Sequence, residues 1–366
     1  MPSTAASWLR SLKWRLNGSA RQRAHGHASK LLFSFEGGSG ARPEMGQALY
    51  ATRAAFRESI DATSAIVESI LQWSCARTFH EQRIEDCAAT PEQQRRNELV
   101  RLGALQVAQL DLWREQGIVP DGVCGVSLGE MVMPYAAGIL SRNDTARVLA
   151  VTSAAISRTR VPSVLFQLHA DESAARRLCD EAPAPLQFLG ATGPAATLAL
   201  SSPADAETLR CYLARHITRE LASDWNYHTP SLPVDRTWMQ QLSNLRSGAP
   251  RIPIFSSIVG DRLPADVRLD GDYFATLVSQ PFHFARAASA AIAAGFDLVV
   301  NVGPKAGVSH QIAALARLQD RDIRVLRPLD TEDECGAWDR VVQEVRRAGL
   351  PRSSGSSTRV TLAKSG

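Results

Sequence analysis

Residues 120–140, PDGVCGVSLGEMVMPYAAGIL, decide how the rest of the chain is read. A short apolar run ends at Val123 and Cys124, Gly125-Val126-Ser127-Leu128-Gly129 follows, and then a stretch with a helical pattern begins. A G-x-S-x-G between a strand and a helix is the arrangement of a nucleophile elbow. Its two glycines remove side chains where strand and helix come together, which exposes the serine hydroxyl. A serine at a helix start also sits beside free N–H groups and partial positive charge that can hold an oxyanion. A glycine-rich turn with an incidental serine is the other reading, and these five residues alone leave both open.

Upstream, KLLFSFEGGSG at 30–40 reads as a buried strand running into a glycine turn, and residues 45–74 and 91–116 have helical periodicity. Helices between two such strands point to an α/β domain with a parallel sheet. Downstream the rhythm changes. SVLFQLH, DESAARRLCDEA, LQFLGATG, ATLALSS, ADAETLRCYLARH and TRELASDWNYH, between 163 and 228, spell β-α-β-β-α-β, the ferredoxin-like order. The first pattern then returns in RIPIFSSIVG at 251–260, PFHFARAASAAIAAG at 281–295 and FDLVVNVGP at 296–304. The expected architecture is α/β, an α/β-hydrolase-like parallel-sheet subdomain (31–160 and 231–350) with a ferredoxin-like subdomain inserted at 161–230. A basic extension (1–30) precedes it, and a Ser/Gly-rich tail (351–366) is expected to be disordered.

Composition narrows the function classes. Of 366 residues, 45% are hydrophobic and 21% charged, and no apolar run approaches a membrane-spanning length, so a soluble chain is expected. The net charge of +4 is uneven: residues 1–30 carry six basic residues and no acid, which leaves the rest at −2. The body therefore lacks the basic stripe of a nucleic-acid binder. In the extension, Trp8, Leu9, Leu12 and Leu16 form one side of a possible short helix, read as a loosely docked arm or as a helix for a partner or membrane surface. Six cysteines without C-x-x-C spacing or nearby histidines argue against a metal site and a disulfide framework, and fit a reducing cytoplasm. FEGGSG lacks the Lys-Ser/Thr of a P-loop and the third glycine of a dinucleotide fold.

A nucleophilic serine needs a base. Of eight histidines, His228 stands out, at the end of the last strand of the inserted unit, where Thr229-Pro230 forces the chain out. GIVPDGVCGVSLGE (117–130), YHTPSLPVD (227–235), PIFSSIVGDRL (253–263), SQPFHFARA (279–287) and NVGP (301–304) occur in that order. By this ordered set the chain resembles malonyl-CoA:acyl-carrier-protein transacylases and the acyltransferase domains of fatty acid and polyketide synthases, over about residues 31–315. The resemblance implies Ser127 as the acylated nucleophile and His228 as its base, oriented by a backbone carbonyl from the position of His283. It implies an oxyanion hole from the amides of Leu128 and Gly38, no bound cofactor, coenzyme A or phosphopantetheine thioesters as substrates, and an acyl carrier protein as partner. Glu36 stands where the family has proline, with no role evident from the sequence.

Two departures concern the acyl pocket, assigned to Val126, Thr152 and Tyr227. Val126 replaces the family's histidine beside the serine, and Thr152 stands where malonyl-type members carry the arginine that holds the substrate carboxylate. Arg147 and Arg158 lie on other faces of that helix. An unpaired buried carboxylate costs several kcal/mol, so an uncharged acyl group is expected. Transfer to a carrier protein is the first reading; hydrolysis of acyl carrier protein thioesters and a non-catalytic carrier-protein-binding module are the alternatives.

Overall fold

The structure, a computed structural model, describes residues 29–80, 89–232, 236–245, 248–329 and 332–349. The expectations for the basic arm and for the tail from 351 lie outside these residues. Strand β1 (Leu31–Phe35) is wholly buried and apolar apart from Ser34, as a strand covered on both faces must be. Helices α1 (Gln47–Thr52) and α2 (Ala54–Leu71) follow, divided by the extended backbone of Arg53, so the periodic stretch from residue 45 is two helices. After α3 (Ala76–His80), Thr90 and Gln93 form a capping box that opens α4 (Pro91–Glu115) with proline at its first position. This helix is buried from Leu99 through Leu110, and its Trp113 packs 4.4 Å from Trp338 and 5.7 Å from Phe33.

The chain then enters β2 (Gly122–Gly125), α5 (Leu128–Ala136) and α6 (Arg142–Ser157). The second sheet is built from β3 (Arg160–Leu168), α7 (Glu172–Asp180), β4 (Gln187–Gly193), β5 (Ala196–Ser201), α8 (Ala206–Leu213) and β6 (Ile217–Trp225). The first fold resumes with α9 (Arg236–Gln240), the hairpin β7 (Ile254–Ser256) and β8 (Asp261–Arg262), α10 (Gly271–Ser279) and α11 (Phe284–Ala293). It closes with β9 (Leu298–Val302), α12 (Gly307–Leu318), β10 (Arg324–Leu326) and α13 (Glu334–Arg347).

The first sheet has six strands in the order β10-β9-β1-β2-β7-β8, parallel except for β8. Leu32 to Phe35 pair in register with Gly122 to Gly125, so the glycine turn after β1 and the G-x-S-x-G turn after β2 emerge side by side at the carboxyl edge. That edge is where open α/β sheets hold ligands. The second sheet is antiparallel in the order β4-β5-β3-β6, the ferredoxin-like arrangement expected from the sequence. It joins the first fold where Gly190, at φ 155°, lies under the Phe282 ring; a Cβ there would meet the ring at 2.6 Å. Phe282 N–H bonds Leu189 O at 3.0 Å, so backbone as well as side chain sets the relative position of the two sheets. One expectation needs adjustment: β6 ends at Trp225, and His228 stands beyond it in a turn.

Candidate active site

The turn at Ser127 is strained. Its φ of 53° with ψ of −113° is a conformation that non-glycine residues seldom occupy, and such positions cost about 1–3 kcal/mol each. Close packing enforces it. A Cβ on Gly129 would fall 2.7 Å from both the Cβ and the carbonyl oxygen of Phe35, so only glycine lets α5 start against β1. Val126 N–H donates to Phe35 O at 3.3 Å and Gly129 N–H to Val126 O at 2.9 Å. The buried Glu130 carboxylate then ties α5 to β7 and α10, accepting bonds from the Ser256 hydroxyl, the Ser257 N–H and hydroxyl, and the Tyr273 hydroxyl. Burial raises the Glu130 pKa to about 7, opposed first by the Ser257 bonds.

His228 also has a positive φ, 65°, and its Nε2 lies 2.9 Å from Ser127 Oγ. Its N–H donates to Val278 O at 2.7 Å, and its ring meets Tyr227 and Phe282 edge-on at 5.5 and 5.2 Å. Burial lowers its pKa to about 4, outweighing the backbone of Leu277 and Gln280, which favours the charged ring. The imidazole is thus neutral at pH 7, as a general base must be. Its Nδ1 makes no hydrogen bond of ordinary geometry among the described residues.

The carbonyl expected from His283 is engaged elsewhere, and this corrects the sequence expectation. His283 caps α11, and its carbonyl accepts the N–H groups of Arg286 and Ala287, both at 3.1 Å. Its side chain pairs with Glu172 on α7, Nδ1 to Oε1 3.0 Å, across the join between the sheets. The backbone acting on the His228 ring belongs to Leu277 and Gln280, at the end of α10.

Ser127 and His228 share a cavity of about 20 Å³ with Gly38, Arg95, Leu99, Leu128, Met131, Ile156, Tyr227, Leu277 and Val278. That volume is close to what one water molecule needs. Leu128 opens α5, so its N–H has no acceptor within the helix. Both expected oxyanion residues therefore line the same small space as the serine. Tyr227 lines it too, but Val126 and Thr152 do not. Val126 belongs to the apolar cluster that includes Leu189, Phe255 and Phe282, and its side chain stands against Gly37 in the turn after β1. Thr152 is fully buried on α6 with its hydroxyl unpartnered among the described residues; Ile156, one turn on, reaches the cavity.

One residue of the cavity gives no sign of its part in the sequence. Arg95, one turn before Leu99 on α4, brings a guanidinium to the cavity with only 10% of its side chain exposed. It donates to Gly38 O at 3.3 Å, to the Tyr227 hydroxyl and to Glu98 at 2.7 Å. Burial opposes its charge, and Tyr227 and Glu98 together outweigh that. The i, i+4 spacing of Arg95 and Leu99 could have marked the shared face, but not what it faced. Glu36, to which the sequence gives no role, lines neither cavity but has a structural part. Its buried carboxylate accepts the Val308 N–H at 3.3 Å and the Ser309 hydroxyl at 3.4 Å, at the start of α12. Burial raises its pKa to about 7, against the hydrogen bonds of that helix end. Glu36 is thus a helix cap beside the glycine turn. Among the described residues no group of three His, Cys, Asp or Glu side chains could hold a metal ion, and no helix is long and apolar enough to cross a membrane.

The acyl transferase domain family matches residues 33–325. The chain belongs to that family. It is an enzyme of the acyltransferase type. This acyltransferase-family chain is 26% identical over 324 residues to the spectinabilin polyketide synthase system protein NorA' of Streptomyces orinoci, covering 87% of this chain and 9% of that protein. It is 28% identical over 275 residues to polyketide synthase GfsB of Streptomyces halstedii, covering 68% and 5%. The chain thus spans under a tenth of the length of either relative. A loading acyltransferase from the avermectin modular polyketide synthase superposes with a TM-score of 0.73 at 23% identity, over 86% of this chain and 99% of that one. The malonyl-CoA:acyl-carrier-protein transacylase from Clostridium perfringens superposes with 0.73 at 13% identity, over 87% and 98%. At these identities the superpositions establish the fold.

Proposed function

We propose that this chain moves an uncharged acyl group, through an ester on Ser127, from a coenzyme A or carrier-protein thioester to an acyl carrier protein. The observation that carries the reading is the 2.9 Å approach of a buried, neutral His228 to Ser127 in a cavity that Leu128 and Gly38 also line. Ser127 Oγ attacks the thioester carbonyl carbon while Nε2 takes its proton. The oxyanion sits against the amides of Leu128 and Gly38. When the intermediate collapses, the C–S bond breaks and the imidazolium returns its proton to the leaving thiolate. The reverse sequence, with a phosphopantetheine thiol as nucleophile, delivers the acyl group to its acceptor. Coenzyme A and phosphopantetheine enter as substrates, and no resident cofactor takes part.

The uncharged acyl group rests on the lining. Leu99, Met131, Ile156, Leu277 and Val278 are apolar, and the single guanidinium is already committed to Glu98, Gly38 O and Tyr227. A carboxylate placed among them has to displace those partners or stay unpaired. The polyketide synthase relatives favour a role in building polyketide or fatty-acid-type chains.

Intact-protein mass spectrometry after mixing with acetyl-, hexanoyl- or malonyl-CoA tests the reading, with Ser127→Ala as control. A serine-dependent adduct from the uncharged donors is expected, followed by its passage to an added carrier protein. Release as free acid instead would make the chain a hydrolase. An adduct forming fastest from malonyl-CoA would refute the uncharged substrate, and none from any donor would leave a binding module.

A further inference from the structure

A second, more open cavity of about 620 Å³ adjoins the catalytic one at Arg95. Its walls come from residues 41–45, α3 and α4, with Trp73 and Trp225 facing it, and pockets of roughly 300–1,000 Å³ are the size that takes a whole small ligand. Among the described residues lining either cavity, Arg95 alone lines both. The side chain crosses the gap between them. Its guanidinium packs 5.6 Å from the Trp225 ring and 5.7 Å from the Tyr227 ring, and bonds to the Tyr227 hydroxyl hold it there.

The catalytic cavity has room for about one water, so an acyl group longer than the smallest must find space elsewhere. The adjoining chamber offers that space. Trp73, Trp225, Met45 and Pro43 supply apolar and aromatic surface. Its other described cations are engaged as well: Arg101 donates to the carbonyls of Arg42, Pro43 and Met45, and Arg42 pairs with Glu334 and donates to Leu329 O. Glu98, which also lines the chamber, adds a carboxylate. A neutral chain or ring suits that wall better than an anion.

We infer that the Arg95–Tyr227 pair is a partition that sets acyl length, and that the chamber behind it receives the distal part of medium-length or aromatic uncharged acyl groups when Arg95 swings aside. The inference rests on the Ser127 acylation reading for its biological meaning, but its test does not require acyl transfer. Arg95 is a specificity-determining residue in this account, and its bond to Gly38 O gives it a further effect common to all substrates.

The experiment uses full-length Ser127→Ala protein and calorimetric titration with non-hydrolysable amide analogues of acetyl-, hexanoyl- and malonyl-CoA. The readout is the hexanoyl-to-acetyl affinity ratio, which cancels any loss common to both ligands. Adding Arg95→Ala is expected to raise that ratio tenfold or more. Tyr227→Phe, which keeps the ring and releases the guanidinium, should raise it a few-fold. Gln94→Trp, at an exposed position on the chamber wall, should reverse the Arg95→Ala gain. A ratio unchanged in both Arg95→Ala and Tyr227→Phe overturns the partition. So does a selective loss of malonyl-analogue binding in Arg95→Ala, which would assign the guanidinium to a substrate carboxylate. Acyl-adduct formation by the wild-type protein is read separately, so failure of that reading and failure of the partition give different results.

Discussion

Two walls of one cavity are built by different means. On the wall formed by α5 and the turn after β6, the reacting atoms are placed by backbone: two non-glycine residues at positive φ, Ser127 and His228, and a glycine packed against Phe35. On the wall formed by α4, the placement is by side chain. Arg95 extends from a helix and is held by Tyr227, Glu98 and one carbonyl. A backbone strained into place leaves few alternatives, whereas a long side chain has several rotamers and can yield. The comparison teaches that chemistry and selectivity in this molecule differ in rigidity, and mutations on the two walls should differ accordingly.

The largest effect is expected from Ser127→Ala, which removes the nucleophile and should lower acylation by on the order of 10³-fold or more, measured as adduct formation. His228→Ala should lower the same rate by about 10²–10⁴-fold without abolishing thioester binding. The pH profile comes next. Because burial lowers the His228 pKa from 6.5 to about 4, the acid limb of kcat/KM should fall near pH 4, and a limb near 6.5 would mean a solvated base. The same shift makes the His228 contribution to stability fall away as pH drops from 6.5 through 4, since the unfolded chain then binds the extra proton.

Gly129→Ala should destabilise the fold by about 1–3 kcal/mol through its collision with Phe35, lowering Tm, and should reduce acylation as the elbow shifts. A variant with native Tm and full activity would show that the glycine is not what holds the elbow. The smallest effect is a slope. The raised Glu36 pKa means its contribution is full below 4.5 and is lost as pH rises through about 7. Glu36→Gln should flatten that part of the stability curve in chemical denaturation between pH 5 and 8. An unchanged slope would place the proton elsewhere.

The rigid wall was largely legible in the chain. G-x-S-x-G between a strand and a helix announces its own geometry, because the close approach at Gly129 cannot be made with another residue. His228 could be singled out by its place at the end of the inserted unit, although Ser127 and His228 are brought together only by tertiary packing, through the His228 N–H bond to Val278 O on α10 and the docking of the second sheet at Gly190 and Phe282. The yielding wall was much less legible. The resemblance implies a pocket of Val126, Thr152 and Tyr227, but a position matched to a family does not fix a side chain's direction, which depends on the turn and helix face it leaves. Glu36 gave no signal either, since α12, the helix it caps, begins at residue 307.

What the sequence by itself determined is the set of local rules: apolar strands, capped helices, the two sheet rhythms, and a serine that must sit in a sharp turn. These follow from steric limits and periodicity acting over a few residues. Only the tertiary structure decided that the Leu277 and Gln280 backbone faces the imidazole, that Ile156 replaces Thr152 in the lining, and that a guanidinium from α4 stands beside the serine. Those depend on how far burial shifts a proton and how a long side chain finds partners across the fold, and neither is set until the two sheets and the long helix have packed.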